Sequence, residues 1–365
     1  MPQAWHPGQL LFAGFEGTEP PPDLAELVAQ GRIGGIVLFS RNVSDPEQLR
    51  CLVGALHERA PAERPLSVAI DQEGGRVQRL RQPWTEWPPM RSVGERDRTD
   101  DTRALGRALA RELADLRIDL DFAPVVDVDT NPDNPVIGDR SFASTPAAVA
   151  RHGVALIEGL QAEGVAACAK HFPGHGDTSL DSHLALPRID HDLARLREIE
   201  LPPFRAAAEA GVASMMTAHV VISRLDPELP ATLSPAALGL LRDEIGYDGL
   251  VFSDDLEMAA VADHFAPRDA VRRALEAGCD ALLVGRRSAL RDEVTSALEA
   301  LPDGLLEAPA RRMAAFKAHH AGGRRARPGG PPYAEHAKLQ HSLRSRDEGS
   351  RTTQAGSVGG TKENT

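Results

Sequence analysis

Two stretches of the 365-residue chain gather side chains capable of acid–base or nucleophilic chemistry. The first, residues 170–187, reads Lys-His-Phe-Pro-Gly-His-Gly-Asp-Thr-Ser-Leu-Asp-Ser-His-Leu-Ala-Leu-Pro and carries His171, His175, Asp177, Asp181 and His183. Pro173, Gly174 and Gly176 break regular structure, which puts these residues on a loop. Ionisable groups at this density would destabilise a core, so such a loop directly after an apolar run reads as a site. Asp181-Ser182-His183 sets a carboxylate two residues from an imidazole. A carboxylate that accepts from one ring nitrogen fixes the tautomer and raises the basicity of the other, as general acid–base work requires. The bland alternative is a solvated loop histidine, and the neighbouring Lys170-His171 weighs against it. His171 and His175 also allow a metal reading, but Pro173 and Gly174 exclude the helix that would bring residues four apart to one face. Lys170 and His171 are equally suited to donate hydrogen bonds to substrate hydroxyls.

The second stretch, Ser253-Asp254-Asp255-Leu256-Glu257-Met258, follows the apolar run Leu250 to Phe252. A carboxylate at such a strand end can act as nucleophile or base. Capping of a helix explains one of these acids, but not three within five residues. A third candidate, Asp71 to Arg79, reads Asp-Gln-Glu-Gly-Gly-Arg-Val-Gln-Arg. It lacks the Gly-x-Gly-x-x-Gly of a dinucleotide fold, so phosphate cradling is not expected. An Asp and an Arg there suit sugar hydroxyls or a carbonyl, while Arg76 suits equally an ion pair closing a rim. Arg140, in Asn-Pro-Val-Ile-Gly-Asp-Arg-Ser-Phe over residues 134–142, has the same two readings.

The elements that must position these residues alternate. Apolar runs over residues 9–15, 33–39, 66–70, 118–126, 165–169, 212–217, 250–252 and 281–284 predict eight strands. Between them lie helical patterns, among them residues 102–116, with Leu105, Leu109, Leu113 and Leu116 on one face. Ser44-Asp45-Pro46-Glu47 reads as a capping box with Ser44 at the cap. Three helices are expected to close at Gly164, Gly211 and Gly278, each before an apolar run. Strands and helices in this order, with polar residues just past several strands, predict a single-domain (β/α)₈ TIM-type barrel over residues 1–321. A doubly wound sheet is the rival, but the barrel explains why chemistry follows strands three to seven, whose ends share one face. A last helix over residues 309–320, opened by Pro309, is expected to pack on the barrel. Residues 322–365, rich in Gly, Pro, Arg, Ser and Thr, read as a disordered low-complexity tail.

With 42% hydrophobic residues and a formal net charge of −12, the chain has material for a sizeable core and is a poor partner for nucleic acid or an anionic membrane. The three cysteines, Cys51, Cys168 and Cys279, are far apart, odd in number and expected in apolar surroundings, which fits a reducing compartment. No stretch approaches the roughly 20 apolar residues of a membrane span, and the start of the chain lacks a secretory pattern. A cytoplasmic, monomeric protein is the expectation.

Together the stretches Ile70 to Leu80, Asn134 to Phe142, Lys170 to His183 and Ser253 to Met258 resemble glycoside hydrolase family three, specifically its single-domain bacterial β-N-acetylhexosaminidases of cell-wall recycling. The resemblance covers about residues 8–320 and leaves the tail unexplained. It implies a retaining glycosidase on a barrel that needs no metal or other cofactor. By motif match Asp254 resembles the nucleophile, His183 the acid/base and Asp181 its partner. Asp71, Arg79, Arg140, Lys170 and His171 resemble the residues that hold the N-acetylglucosamine unit. The implied substrate is that sugar β-1,4-linked to anhydro-N-acetylmuramic acid, with or without peptide. A phosphorylase using the same residues, and a non-catalytic peptidoglycan-fragment-binding protein, are the competing readings.

Overall fold

The computed structural model describes residues 5–179, 186–322 and 329–344. Eight parallel strands close into a barrel in the spatial order 1-8-7-6-5-4-3-2, each strand pairing with its sequence neighbours. They are β1 Leu11–Ala13, β2 Gly35–Leu38, β3 Ser67–Ile70, β4 Leu120–Asp121, β5 Ala166–Phe172, β6 Ser214–Thr217, β7 Leu250–Asp255 and β8 Ala281–Val284. The helices α1 Pro22–Ala29, α2 Pro46–Arg59, α3 Thr99–Asp115, α4 Pro146–Ala162, α5 Leu201–Glu209, α6 Pro235–Gly239, α7 Pro267–Ala277 and α8 Ser288–Glu299 follow the strands one for one. This is the expected (β/α)₈ barrel. The strands are apolar on both faces because one face meets the helices and the other fills the interior. Phe12, Phe122 and Phe252 meet edge to face there, with centroids 4.9 and 5.4 Å apart. They come from strands that are not neighbours, so the contacts cross a packed interior.

Gly164, Gly211 and Gly278 each have positive φ where a helix ends, as anticipated, and each returns the chain to the next strand. Other expectations are corrected. The cap of α2 is Asp45, whose side chain accepts from Glu47 N and Gln48 N, while Gln48 reaches back to Ser44 N. The reciprocal pattern exists, one residue later than expected. The fourth strand is shorter than residues 118–126, because Pro124 has no N–H to donate to a ladder. Beyond it the chain still runs beside β5, with Val126 N donating to Lys170 O at 2.8 Å. Helices α1 and α8 were not anticipated. Cys168 and Cys279 are buried, but Cys51 is exposed on α2.

Past the barrel, α9 spans Asp303–His320, with Pro309 inside it rather than opening it. Its start is set by Pro302 at the cap and by Asp303, an acid in the first turn where the helix dipole favours it. Phe316 and Lys317 of α9 cover the N-terminal end of the barrel: Phe316 meets Phe252 at 6.5 Å, and Lys317 reaches Pro65 O just ahead of β3. Part of the expected disordered tail is ordered, since Ala334–Arg344 forms a further helix, α10, with Leu343 only 2% exposed. Among the described residues no helix is long and apolar enough to cross a membrane.

Candidate active site

The C-terminal ends of β3 to β7 open onto one cavity of about 300 Å³, near the lower end of the ~300–1,000 Å³ usual for small-molecule sites. Asp71, Arg79, Arg140, Lys170, His171 and Asp254 all line it, together with Glu73 and His175. Chain positions from 71 to 254 are thus brought to one mouth. Asp181 and His183 lie outside the described residues.

Two local irregularities aim the side chains. The pairing of β5 with β6 shifts register between Ala169 and Phe172, the interval that holds Lys170 and His171. The pairing of β7 with β8 shifts between Phe252 and Asp255, the interval that holds Ser253 and Asp254. Such shifts turn residues out of the strict alternation of a strand. Asp71 directly follows β3, and the short hairpin Gln72–Gly74 with Val77–Gln78 carries Glu73 and leads to Arg79.

The charges form a chain. Arg79 reaches Asp71 Oδ2 at 3.0 Å, and Lys170 Nζ lies 2.7 Å from both Asp71 Oδ1 and Glu73 Oε1. Arg140 grips Glu73 with two donors, at 2.8 and 2.7 Å. Burial alone would push Asp71 toward its neutral form, but Lys170 and Arg79 outweigh it and hold the carboxyl far below the usual range. Glu73, buried but facing Arg140 and Lys170, is likewise lowered to about 2. Burial lowers Lys170, but the carboxylates of Asp71 and Glu73 outweigh it and raise the ammonium above the ordinary lysine value. Within this chain of charges three cations stand against two carboxylates, and Asp254, which lines the same cavity, adds a third acid to the mouth. Arg79 Nε is buried and has no partner among the described residues, a donor available to a ligand.

Asp127, fully buried, is the organiser of the histidines. Its carboxylate accepts from His171 Nδ1 at 2.7 Å, from His171 N at 3.2 Å and from His175 N at 2.7 Å. That leaves Nε2 of His171 toward the cavity, 3.5 Å from an Arg140 nitrogen. His175 is lowered to about 4 by burial and by His171, and it is neutral at neutral pH. Its Nδ1 meets Thr178 Oγ1 at 2.7 Å.

Asp254 differs from the other acids. It is partly exposed, its Oδ1 accepts from Asp255 N at 2.8 Å, and no Lys, Arg or His among the described residues stands within ion-pair distance of it. Burial raises its carboxyl, yet His219 and His171 pull it below the ordinary aspartate value, so it is anionic at neutral pH. His219 is fixed at the end of β6 by Thr232 Oγ1 at 2.7 Å and by Asp255 O at 3.0 Å. The neighbouring acids have structural tasks: Asp255 accepts from Glu257 N and Gly285 N, each at 3.0 Å, and Glu257 accepts from Arg286 N at 2.8 Å. A cavity with one uncommitted carboxylate facing a frame of donors can hold a polyhydroxyl ligand and present a nucleophile to it.

The model of the glycosyl hydrolase family 3 N-terminal domain matches residues 7–315. The chain belongs to glycosyl hydrolase family 3. A β-hexosaminidase of Alkalilimnicola ehrlichii is 44% identical over 301 residues, covering 80% of this chain and 84% of that protein. Among solved structures of the family, the β-N-acetylglucosaminidase of Paenibacillus sp. superposes with a TM-score of 0.87 at 39% identity, over 92% of this chain and 67% of that one. NagZ of Neisseria gonorrhoeae, solved with N-trifluoroacetyl-D-glucosamine, gives 0.80 at 34% identity, over 92% and 96%. Membership makes the chain a glycoside hydrolase.

Sequence reasoning missed Glu73, Asp127 and His219 as parts of the site, and gave His175 a place on the site loop without a role beyond a metal reading. Glu73 and His175 stand inside motifs already singled out, whereas Asp127 and His219 had only the weaker signal of a polar residue just past a strand. Arg76 takes the bland alternative: it pairs with Asp139 at 3.0 Å on the rim, where both are half-exposed.

Proposed function

We propose that the chain is a retaining exo-β-N-acetylglucosaminidase that removes terminal β-1,4-linked N-acetylglucosamine from anhydromuropeptides during cytoplasmic peptidoglycan recycling. The observation that carries the reading is Asp254, anionic and without an ion-pair partner among the described residues, in a cavity where Asp71 and Glu73 are tied to cations and Asp255 to backbone N–H groups. In the first step its carboxylate bonds to the anomeric carbon while the glycosidic C–O bond breaks, and the leaving oxygen takes a proton from His183. In the second, water gives a proton to His183, its oxygen bonds to the anomeric carbon, and the bond to Asp254 breaks. Asp181 holds the tautomer of His183 for both transfers. Asp71, Arg79, Arg140, Lys170 and His171 bind the sugar, and a cavity of about 300 Å³ suits one terminal unit rather than a chain.

The experiment is release of nitrophenol from an aryl N-acetyl-β-glucosaminide by the parent and by Asp254→Ala, with and without phosphate. Hydrolysis indifferent to phosphate, and lost by roughly 10⁴-fold in the variant, is expected. Parent-like rates in the variant would remove Asp254 from the mechanism. A phosphate requirement would make the enzyme a phosphorylase, and no release at all would favour the binding protein.

A further inference from the structure

Helix α10 lies beyond residues 7–315, the span of the family match, yet it is tied to the segment that supports the substrate-facing hairpin. The ties begin inside. Gly75 N, in the turn of the hairpin, donates to Trp87 O at 3.0 Å, and Trp87 N donates to Gln78 Oε1 at 3.0 Å. Gln78 Nε2 donates to Thr85 O at 2.6 Å. Residues 82–89 are thus a strap that fixes the hairpin bearing Glu73 and leading to Arg79. The strap is then gripped from outside. Gln340 Nε2 and Arg344 both donate to Glu86 O, at 2.5 and 2.9 Å. His336, itself buried, contacts the Trp87 ring at 5.8 Å and meets Glu112 Oε1 at 2.7 Å, the same oxygen that accepts from Thr85 Oγ1 at 2.6 Å. Tyr333 stacks on His336 and donates to Asp115 Oδ2 at 2.7 Å.

We propose that α10 is a positioning element for the sugar-binding hairpin: by clamping residues 82–89 to α3 it holds Glu73 and Arg79 at the geometry that binds the substrate. This rests on the glycosidase reading above for its kinetic consequence. A sub-ångström loosening of a binding frame changes affinity without removing any group that touches the sugar.

The test compares the full chain with chains ending at Gly322 and at Arg344. Loss of α10 is expected to raise KM for the aryl glycoside by about 3- to 10-fold with a smaller change in kcat, and to speed amide exchange at Gly75 and Trp87. The chain ending at Arg344 should match the full chain. Unchanged KM and unchanged exchange overturn the proposal, as does a drop in kcat and in Tm at constant KM, which marks a merely structural helix. Should the shorter chain not fold, the double variant Gln340→Ala, Arg344→Ala deletes only the two donors to Glu86 O and is held to the same criteria. His336→Gln, which keeps a donor for Glu112, should stay nearer the parent than His336→Ala. If the full chain does not cleave the glycoside, the functional reading fails, and amide exchange alone decides the fate of the clamp.

Discussion

Two buried lysines sit at opposite ends of the barrel, and their surroundings are opposite in kind. At the mouth, Lys170 Nζ is 2.7 Å from each of two carboxylates, Asp71 and Glu73. At the base, the partners of Lys317 Nζ among the described residues are uncharged oxygens, Gln9 Oε1 at 2.5 Å and Pro65 O at 2.8 Å. Both are removed from water, which disfavours the ammonium in each case. The carboxylates reverse that effect for Lys170 and raise it above the ordinary lysine value, whereas burial lowers Lys317 to about 7. Burial therefore does not decide the charge of a lysine; its neighbours do. The mouth keeps full charges because a donor frame for a polar ligand needs them, while the base keeps hydrogen bonds and drifts toward neutrality.

The most severe way to break this contrast is Lys170→Met. It leaves Asp71 and Glu73 facing each other with one arginine apiece, and the loss of a buried partner costs about 3–5 kcal/mol. Because the folded value of Lys170 is raised, its stabilisation is fully present below the unfolded value near 10.5, so the loss should appear throughout the neutral range. Sugar hydrolysis should fall with it, by roughly 10²-fold or more in kcat/KM, since Asp71 and Glu73 lose their common anchor. Urea unfolding at pH 7 together with steady-state kinetics reads both. A variant as stable as the parent would mean the arginines alone neutralise the mouth.

Glu73→Gln probes the same cluster from its acidic side. The folded carboxyl is held at about 2 against an ordinary 4.5, so the charge stabilises the fold above about pH 4.5 and the benefit is lost as pH falls through 2. The parent should exceed the variant by about 3 kcal/mol at pH 6, with the gap narrowing between pH 4.5 and 2. A gap independent of pH would show that Glu73 acts through packing rather than charge.

These residues divide clearly by how far their sequence neighbourhood reveals them. Asp254, Asp71 and Lys170 were legible because each stands within two residues of the end of an apolar run, and in a parallel barrel every such end faces the mouth. The partnerships were not legible. Arg140 stands 67 residues from Glu73, and Asp127 stands 44 from His171, and no local pattern encodes a contact across those gaps. Pro124 hid the length of β4, since its missing N–H shortens a strand that composition alone extends. α10 was hidden differently: the stretch around it is poor in large apolar residues, and the helix is held by polar bonds from Tyr333, His336, Gln340 and Arg344, with Leu343 buried in the core and Leu339 packed against it. A test for hydrophobic burial passes over such an element.

The gentlest test of the contrast is Lys317→Met at the base. Methionine has a similar length and fits a buried apolar position, but it gives up two hydrogen bonds and leaves Gln9 Oε1 and Pro65 O without their donor. Against this, the parent bears the cost of a buried ammonium. Since the folded value is about 7 and the unfolded one 10.5, that cost is fully present below pH 7 and is relieved as pH rises toward 10.5. Near pH 7 the two effects oppose each other, and parent and variant should agree within about 1 kcal/mol. By pH 9.5 the parent has shed most of its penalty and the variant has shed nothing, so the parent should lead by on the order of 2 kcal/mol. Other titrations are common to both chains and cancel in the difference. Denaturant unfolding of the pair at the two pH values therefore isolates one side chain. A constant difference would show that Lys317 is charged in the folded protein even at high pH, and Asp119, the nearby acid that opposes the lowering, would then be doing at the base what Asp71 and Glu73 do at the mouth.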